Sequence, residues 1–277
     1  MATKKAHAAD SLRKRLIVRP GAKVTLAKHD PDDTFGHTKD DAADVMTRDI
    51  TRLADVQERL WAEHKHRVLI VLQAIDAGGK DGTIKHVMSG FNPQGVKITG
   101  FGVPSAVELA HDYLWRVHQV VPGSGEIAVF NRSHYEDVLV VRVHSLVDEA
   151  VWSKRYDQIN AFEQMLAASG TTILKFFLHI SADEQLERLR DRYEDPTKRW
   201  KFKMGDLTER EHWDEYMAAY EDVLARCSTD VAPWFIIPAN RNWFRNLAIA
   251  SIVADTLEDL KPAYPERSDL PVGLVIK

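Results

Sequence analysis

The stretch from Arg67 to Thr83, RVLIVLQAIDAGGKDGT, decides the fold. Residues 67–74 form a short apolar run that is typical of a strand buried on both faces of a parallel sheet. A glycine-rich turn, a lysine and the start of a helix follow. This order is the layout of a P-loop, in which backbone N–H groups and a helix N-terminus bind phosphate oxygens. The sequence therefore predicts a phosphate site directly after this strand.

The loop departs from the strict P-loop pattern at two positions. Ala74 stands at the first glycine, and Asp81 replaces the hydroxyl residue that usually binds Mg²⁺. Asp76 and Asp81 flank Lys80, and carboxylates beside phosphates are explained by a bound cation such as Mg²⁺. The alternative is a plain glycine-rich turn with a solvent-facing lysine. We predict that the following residues bind phosphate: Gly78, Gly79, Lys80, Asp81, Gly82, Thr83 and Lys85.

Strand and helix patterns alternate along most of the chain. Further strands are predicted at 96–102, 126–131, 171–180 and 234–238, and helices at 42–63, 82–89, 106–118, 148–168, from 181 onward and 242–260. Such alternation predicts an α/β fold with a parallel sheet covered by helices on both faces. The strand-free stretch 191–228 is predicted to be a helical insertion over one end of the sheet. We divide the chain into an irregular basic arm, residues 1–45, and a main domain, residues 46–277.

The charge of the 277-residue chain is −4 and is unevenly distributed. Residues 1–23 hold seven basic residues and one acidic residue, and residues 188–203 hold seven basic and three acidic. The net charge argues against a dedicated nucleic-acid binder. The N-terminal basic segment is expected to be a solvated tail. It lacks the apolar core of a signal peptide, and no run is long enough for a membrane span, so we expect a cytoplasmic protein without membrane contact. The single cysteine, Cys227, excludes an internal disulfide.

A second group of candidate residues follows the strand at 126–131. Arg132 stands at the carboxyl end of that strand, where open α/β sheets bind ligands, and its guanidinium suits a phosphoryl group. A structural ion pair is the alternative for Arg132. Asn131 occupies the place of the usual metal-binding carboxylate, which Glu136 or Asp137 could supply. His134 is predicted to orient its neighbours, because phosphoryl transfer needs little proton chemistry.

The basic part of the insertion is predicted to close over a phosphate-rich substrate as a lid, at about residues 188–212. Lys198, Arg199 and Lys201 are its candidate phosphate ligands. Trp200 and Phe202, interleaved with them, also resemble a stacking platform for nucleic acid. A solvated basic face with its aromatic side chains in the core is the third possibility.

Four segments in order, DAGGKDGT, FNRSHYEDVL, RYEDPTKRWKF and PWFIIPANRNWFRN, resemble the polyphosphate kinase 2 family, over about residues 50–260. The resemblance implies a P-loop kinase fold similar to thymidylate kinase, with Mg²⁺ (or Mn²⁺) and inorganic polyphosphate as donor. FNRSHYED looks like the subgroup that phosphorylates both nucleoside mono- and diphosphates. The family also suggests a homo-oligomer, a dimer or tetramer, and no nucleic-acid partner is expected.

The resemblance also implies roles for individual residues. Asp76 and Lys80 match the acid and the lysine of the family's phosphate loop, Arg132 its second-motif arginine and Arg192 its lid arginine. Asp137 would hold the metal together with Asp76. With these five as the catalytic set, Asn131, His134 and Glu136 are expected to contact substrate.

Two positions depart from the family pattern. Asn131 and Asn240 stand where many members have aspartate. For Asn131 this puts the usual metal ligand in doubt, and we expect Asp137 to take its place.

The expected function is reversible phosphoryl transfer between polyphosphate and nucleotides, from AMP to ADP and from ADP to ATP. An ATP-dependent nucleotide or small-molecule kinase is the nearer alternative. A non-catalytic polyanion- or RNA-binding protein that uses residues 188–203 is the alternative from another class.

Overall fold

The computed structural model describes residues 11–267, and its centre is a five-stranded parallel sheet. The strands are β1 (Arg67–Gln73), β2 (Val96–Gly100), β3 (Ile127–Asn131), β4 (Thr171–His179) and β5 (Trp234–Pro238). They lie in the order β2-β3-β1-β4-β5, so β1 is central and the loop after it opens at the middle of the sheet. The predicted parallel α/β fold is confirmed.

The long helices lie close to the predicted ones, and several short helices were not predicted. They are α1 (Leu12–Leu16), α2 (Lys39–Glu63), α3 (Lys80–Val87), α4 (Ala106–Leu109), α5 (Trp115–His118), α6 (Val140–Val143), α7 (Glu149–Ala168), α8 (Ala182–Glu194), α9 (Met204–Glu209), α10 (Trp213–Cys227) and α11 (Asn242–Asp259). The stretch 191–228 is helical and strand-free, as predicted. Within residues 11–267, no helix combines the length and the apolar character that a membrane crossing requires.

The single helix predicted at 106–118 is wrong, because two side chains interrupt it. The ring of His111 contacts the carbonyl oxygen of Val107 at 2.8 Å, and Asp112 Oδ1 accepts a hydrogen bond from the backbone of Leu114. Such local side-chain bonds compete with the helical backbone pattern. The segment therefore forms two short helices, α4 and α5, with a turn between them.

Helices bury both faces of the central strands, whereas the edge strand β2 stays largely exposed. The β1 side chains from Val68 to Leu72 are all fully buried. Alternate side chains of β4 reach different layers: Phe177 packs on Tyr220 of α10, whereas Phe176 stacks on Phe235 of β5. α11 packs on α2 and α3, and α7 packs on β4 and α10. This apolar support holds the carboxyl ends of the strands in fixed positions.

The N-terminal segment is not a solvated tail where the structure describes it. Val18 donates a backbone hydrogen bond to the Trp234 carbonyl at 2.8 Å, and Ile17 pairs antiparallel with Phe235. Leu16 and Leu26 are buried. The segment covers the free edge of β5, which would otherwise expose unpaired backbone groups. The basic residues, on which the prediction of a solvated tail was based, are interspersed with the apolar residues that dock the segment.

The boundary drawn at residues 45 and 46 stays a prediction, although α2 runs across it. Residues 1–10, which include part of the predicted arm, lie outside the described residues, as do residues 268–277.

The docking of the N-terminal segment predicts a stability effect. Leu26→Ala should lower the free energy of unfolding by about 2–5 kcal/mol, because it removes a buried side chain and leaves a cavity. Lys65→Ala, at an exposed position, should change it by less than about 0.5 kcal/mol. Urea unfolding measures both. Equal stability of the two variants would show that the segment is not docked in solution.

Candidate phosphate-binding site

The glycine-rich loop has the backbone of a phosphate site. It follows β1 directly, and α3 begins at Lys80 with Gly79 as its N-cap in the left-handed region, at φ 101°. A Cβ atom at Gly79 would lie 1.9 Å from Nη1 of Arg245, so only glycine fits there. The N-terminus of α3 therefore points its free N–H groups at the end of the central strand, where an anion is stabilised.

Lys80 lies inside the loop and is only 8% exposed. Its Nζ donates a hydrogen bond of 2.8 Å to the carbonyl oxygen of Ala74. Burial and the nearby positive charge of Arg132 lower the pKa of Lys80 to about 8, against the opposing effect of Asp76 and other carboxylates. A phosphate oxygen at this position would favour the charged form. The plain solvent-facing lysine is thus excluded.

Arg132 occupies the carboxyl end of β3 and joins two carboxylates. Its Nη2 bonds Asp76, and its Nη1 donates to Glu136 at 3.2 Å. Its backbone N–H donates to Leu72 of the central strand at 3.0 Å. The ion pair considered from the sequence is therefore present, but the Arg132 side chain is also partly exposed and lines the cleft described next.

An open cleft of about 820 Å³ lies over these residues. The predicted residues that line it are Asp76, Gly78, Gly79, Lys80, Asp81, Gly82, Asn131, Arg132, Arg192, Lys198 and Lys201. Lys203, Arg188 and Arg245 add further positive charge, so eight cationic side chains face three carboxylates. Lys201 contacts Asp81 at 3.3 Å and so joins the predicted lid to α3. The cleft suits a ligand with many negative charges.

The aromatic residues of the lid differ from each other in environment. Trp200 is 77% exposed and lines the cleft, with Lys201 Nζ 5.0 Å from its ring centre. Phe202 packs edge-on against Tyr193. Trp200 is therefore not a core residue.

Six other predicted residues do not line the cleft: Thr83, Lys85, His134, Glu136, Asp137 and Arg199. Thr83 is fully buried on α3, and its hydroxyl has no hydrogen-bond partner within residues 11–267. Lys85 is exposed on the same helix. The guanidinium of Arg199 donates to the carbonyl oxygen of Tyr193 at 2.7 Å. Glu136 lies beneath the cleft, bonded to Arg132.

His134 belongs to a buried polar cluster below the site. Its Nε2 lies 3.3 Å from Glu163, which also pairs with Lys175. Tyr135 donates to Glu163 and accepts from Lys175, both at 2.8 Å. These bonds fix the turn 134–138, which carries Glu136 next to Arg132. The cluster supports the orienting role predicted for His134.

Asp137 points away from the cleft and is paired elsewhere. Its Oδ1 accepts a hydrogen bond of 2.8 Å from Arg155 of α7. Burial raises the pKa of Asp137 to about 6, although Arg155 opposes the shift. Asp76 instead shares Arg132 with Glu136, the neighbour of Asp137 in sequence. The structure therefore does not bring Asp137 and Asp76 to one cleft wall.

Arg245 is the main residue that sequence reasoning missed. It is 2% exposed, and its guanidinium is bonded by Asn242 at 2.6 Å and Asn246 at 2.9 Å. Within residues 11–267 it has no carboxylate partner. Burial and the nearby Arg188 lower the pKa of Arg245 to about 9. An uncompensated buried cation beside a P-loop is explained by an anionic ligand. Its only sequence signal is its place in PANRNWFRN.

Arg188 connects the phosphate loop to the residues after β5. The sequence predicted it only as one of the basic residues of the segment 188–203. Its guanidinium donates to the carbonyl oxygens of Ala77 at 3.1 Å and Ala239 at 2.6 Å. It thereby holds the phosphate loop beside the residues that precede α11.

The carboxylates of the cleft fit a hard divalent cation only in part. No three His, Cys, Asp or Glu side chains of the described chain gather closely enough to form a protein metal site. Mg²⁺, however, commonly binds through one or two carboxylates together with substrate phosphates. Asp76 and Asp81 supply such oxygen donors at the cleft wall. The donor set thus fits Mg²⁺ that arrives with phosphate.

Curated relatives share most of this chain. An AMP/ADP-polyphosphate phosphotransferase of Meiothermus ruber is 54% identical over 95% of this chain and 100% of its own length. An ADP-polyphosphate phosphotransferase of Rhodopseudomonas palustris is 46% identical over 91% of this chain and 92% of its own.

A solved structure and a family model agree with these relatives. The crystal structure of polyphosphate kinase 2 from Arthrobacter aurescens TC1 superposes with a TM-score of 0.91 at 42% identity, over 95% of this chain and 94% of that one. The family model described as Polyphosphate kinase 2 matches residues 36–265. The P-loop kinase fold inferred from the four motifs is confirmed, and this chain belongs to the polyphosphate kinase 2 family.

Proposed function

We propose that the protein transfers phosphoryl groups reversibly between inorganic polyphosphate and nucleotides, converting AMP to ADP and ADP to ATP. The observation that carries this proposal is the cleft in which eight cationic side chains surround a P-loop. A chain of phosphates needs such a channel of charge. The activities named for the Meiothermus ruber and Rhodopseudomonas palustris relatives support the same substrates.

In the proposed reaction, an oxygen of the nucleotide's terminal phosphate attacks the end phosphorus of polyphosphate. A new P–O bond forms, the bond to the next phosphate of the chain breaks, and a shortened polyphosphate leaves. The protein contributes position and charge, which is the main requirement of phosphoryl transfer. Lys80, Arg132 and Arg192 neutralise the transferred group. Loop N–H groups hold the adjacent phosphate oxygens.

Asp76 is proposed as the residue that holds Mg²⁺, with Mn²⁺ as a possible substitute. When bound, the cation supplies charge neutralisation between the carboxylate and the phosphates. The role of Asp137 as a second metal ligand stays a prediction, since it requires release from Arg155. A homo-oligomer, either dimer or tetramer, is likewise proposed from the family resemblance, and the cytoplasmic location stays a prediction from the sequence.

The decisive test is phosphoryl transfer without ATP. The protein should form ADP and ATP from AMP or ADP when Mg²⁺ and polyphosphate are supplied, and a metal chelator should abolish the product. Chromatography of the nucleotides measures both. Activity with ATP alone as donor would instead support the ATP-dependent kinase. Salt-sensitive RNA binding without any turnover would support the non-catalytic alternative.

Lys80→Ala and Arg192→Ala should each lower kcat by about 100-fold or more, because each removes a positive charge that neutralises the transferred phosphoryl group. Thermal unfolding of Arg192→Ala should stay close to that of the unaltered protein, since this side chain lies at the open cleft. Lys65→Ala, exposed and outside the cleft, is the control. Near-normal turnover in either cleft variant would refute its assigned role.

Arg245→Met should separate binding from stability. The substitution removes a buried cation without a carboxylate partner, so the melting temperature should hold or rise. The KM for polyphosphate should increase at least about 10-fold, as expected for losing a charged hydrogen bond worth about 1.5–3 kcal/mol. Arg241→Met, at the exposed N-cap of the same helix, is the matched control. A lower melting temperature with an unchanged KM would make Arg245 structural only.

A further inference from the structure

A second basic cavity, the N-terminal basic pocket, lies outside the proposed catalytic cleft. It has a volume of about 490 Å³. Its cations all come from the N-terminal segment: Lys14, Arg15, Arg19, Lys23 and Lys28. The ends of β4 and β5 form its floor through His179 and Pro238. The docking of this segment on β5 therefore converts a dispersed run of charge into one concave surface.

The pocket carries more positive than negative charge. Asp30 and Asp33 are its two acidic lining residues, against five basic ones. Arg19, Lys23 and Lys28 are exposed, and none of the three makes an ion pair within the described part of the chain. This unbalanced charge favours an anionic ligand.

His179 provides an independent sign that a ligand belongs there. It ends β4, lines the pocket and is only 7% exposed. Within residues 11–267 its buried Nδ1 has no partner at hydrogen-bonding geometry, although the backbone of Leu26 and His29 lies near the ring. A buried polar atom without a partner is costly, and a ligand can supply that partner. Burial lowers the pKa of His179 to about 4, so the ring is neutral at pH 7 without a ligand, and a phosphate against it would oppose this shift.

The pocket and the cleft lie along the same edge of the sheet. Pro238, the last residue of β5, lines the pocket, and Asn242, the first residue of α11, lines the cleft. The two residues are four positions apart in the chain, so their Cα atoms lie at most about 14 Å from each other. The carboxylate of Asp32, near this connection, lies 3.5 Å from the guanidinium of Arg241 and accepts a hydrogen bond from Asn240. Its charge is thus partly neutralised.

We propose that the N-terminal basic pocket binds a distal stretch of the polyphosphate chain whose end reacts in the cleft. The inference rests on the proposed function. A chain held at both places dissociates less readily than one held only at the cleft, because the second contact is intramolecular. The pocket therefore favours long polyphosphate over short chains that fill the cleft alone.

A triple variant, Arg19→Gln with Lys23→Gln and Lys28→Gln, tests the proposal. The matched control replaces three exposed lysines outside both sites, Lys65, Lys154 and Lys261, with Gln, for the same change in net charge. KM and kcat are measured with ADP and Mg²⁺, using long-chain polyphosphate and tripolyphosphate as donors. Binding of fluorescently labelled long-chain polyphosphate is measured separately by anisotropy, which does not require turnover.

The pocket variant should raise the KM and Kd for long-chain polyphosphate at least 5-fold. It should leave kcat, the KM for ADP and the KM for tripolyphosphate within 2-fold, and the control should leave all values within 2-fold. Equal effects on long and short donors, equal effects of both variants, or unchanged binding of the long chain would each overturn the proposal. If the unaltered protein shows no turnover of polyphosphate, the proposed function fails, while the anisotropy still decides whether the pocket binds the chain.

Discussion

The crowding of positive charge at the carboxyl end of the central strand is the constraint on which the site depends. Lys80, Arg188 and Arg245 all lie against one glycine-rich loop, and burial lowers the pKa of both Lys80 and Arg245. Positive charges that lie against the same loop repel one another, and their removal from water adds to the free-energy cost of folding. The fold tolerates them because backbone carbonyls and asparagine side chains accept their hydrogen bonds. The positive charge that these partial partners leave unbalanced is the basis of the proposal that a phosphate chain binds here.

The rigid apolar layers beneath the loop make this arrangement possible. β1 is buried on both faces, and the buried cluster around Glu163 and Lys175 holds the turn after β3. Arg132, which directly follows β3 and precedes that turn, forms an ion pair with Asp76. Packed strands and helices thus fix the positions of these charged side chains relative to one another. This fixed arrangement is the condition for electrostatic preorganisation.

The net charge of −4 conceals this organisation. The two basic segments of the sequence lie at the same edge of the sheet, where one lines the cleft and the other lines the N-terminal basic pocket. The rest of the chain is acidic and these two surfaces are locally positive, which is the charge distribution on which the proposed binding of one polyanion depends. The exposed Trp200 in the cleft shows that the lid retains an aromatic surface beside its cations.

The sequence by itself determined the sheet, the P-loop, the basic segment at 188–203 and most of the residues that line the cleft. These features depend on local order along the chain: an apolar run, then glycines, then lysine, and basic residues grouped at 188–203. Only the tertiary structure decided the rest. Arg245 lies 165 residues after Lys80 and meets the loop through the packing of α11. Asp137 pairs with Arg155 and does not line the cleft, because residues 134–138 form a 3-10 helix in which a one-residue step turns the side chain by about 120°. The N-terminal segment docks because β5 has a free edge, and an edge exists only once the strands are in order.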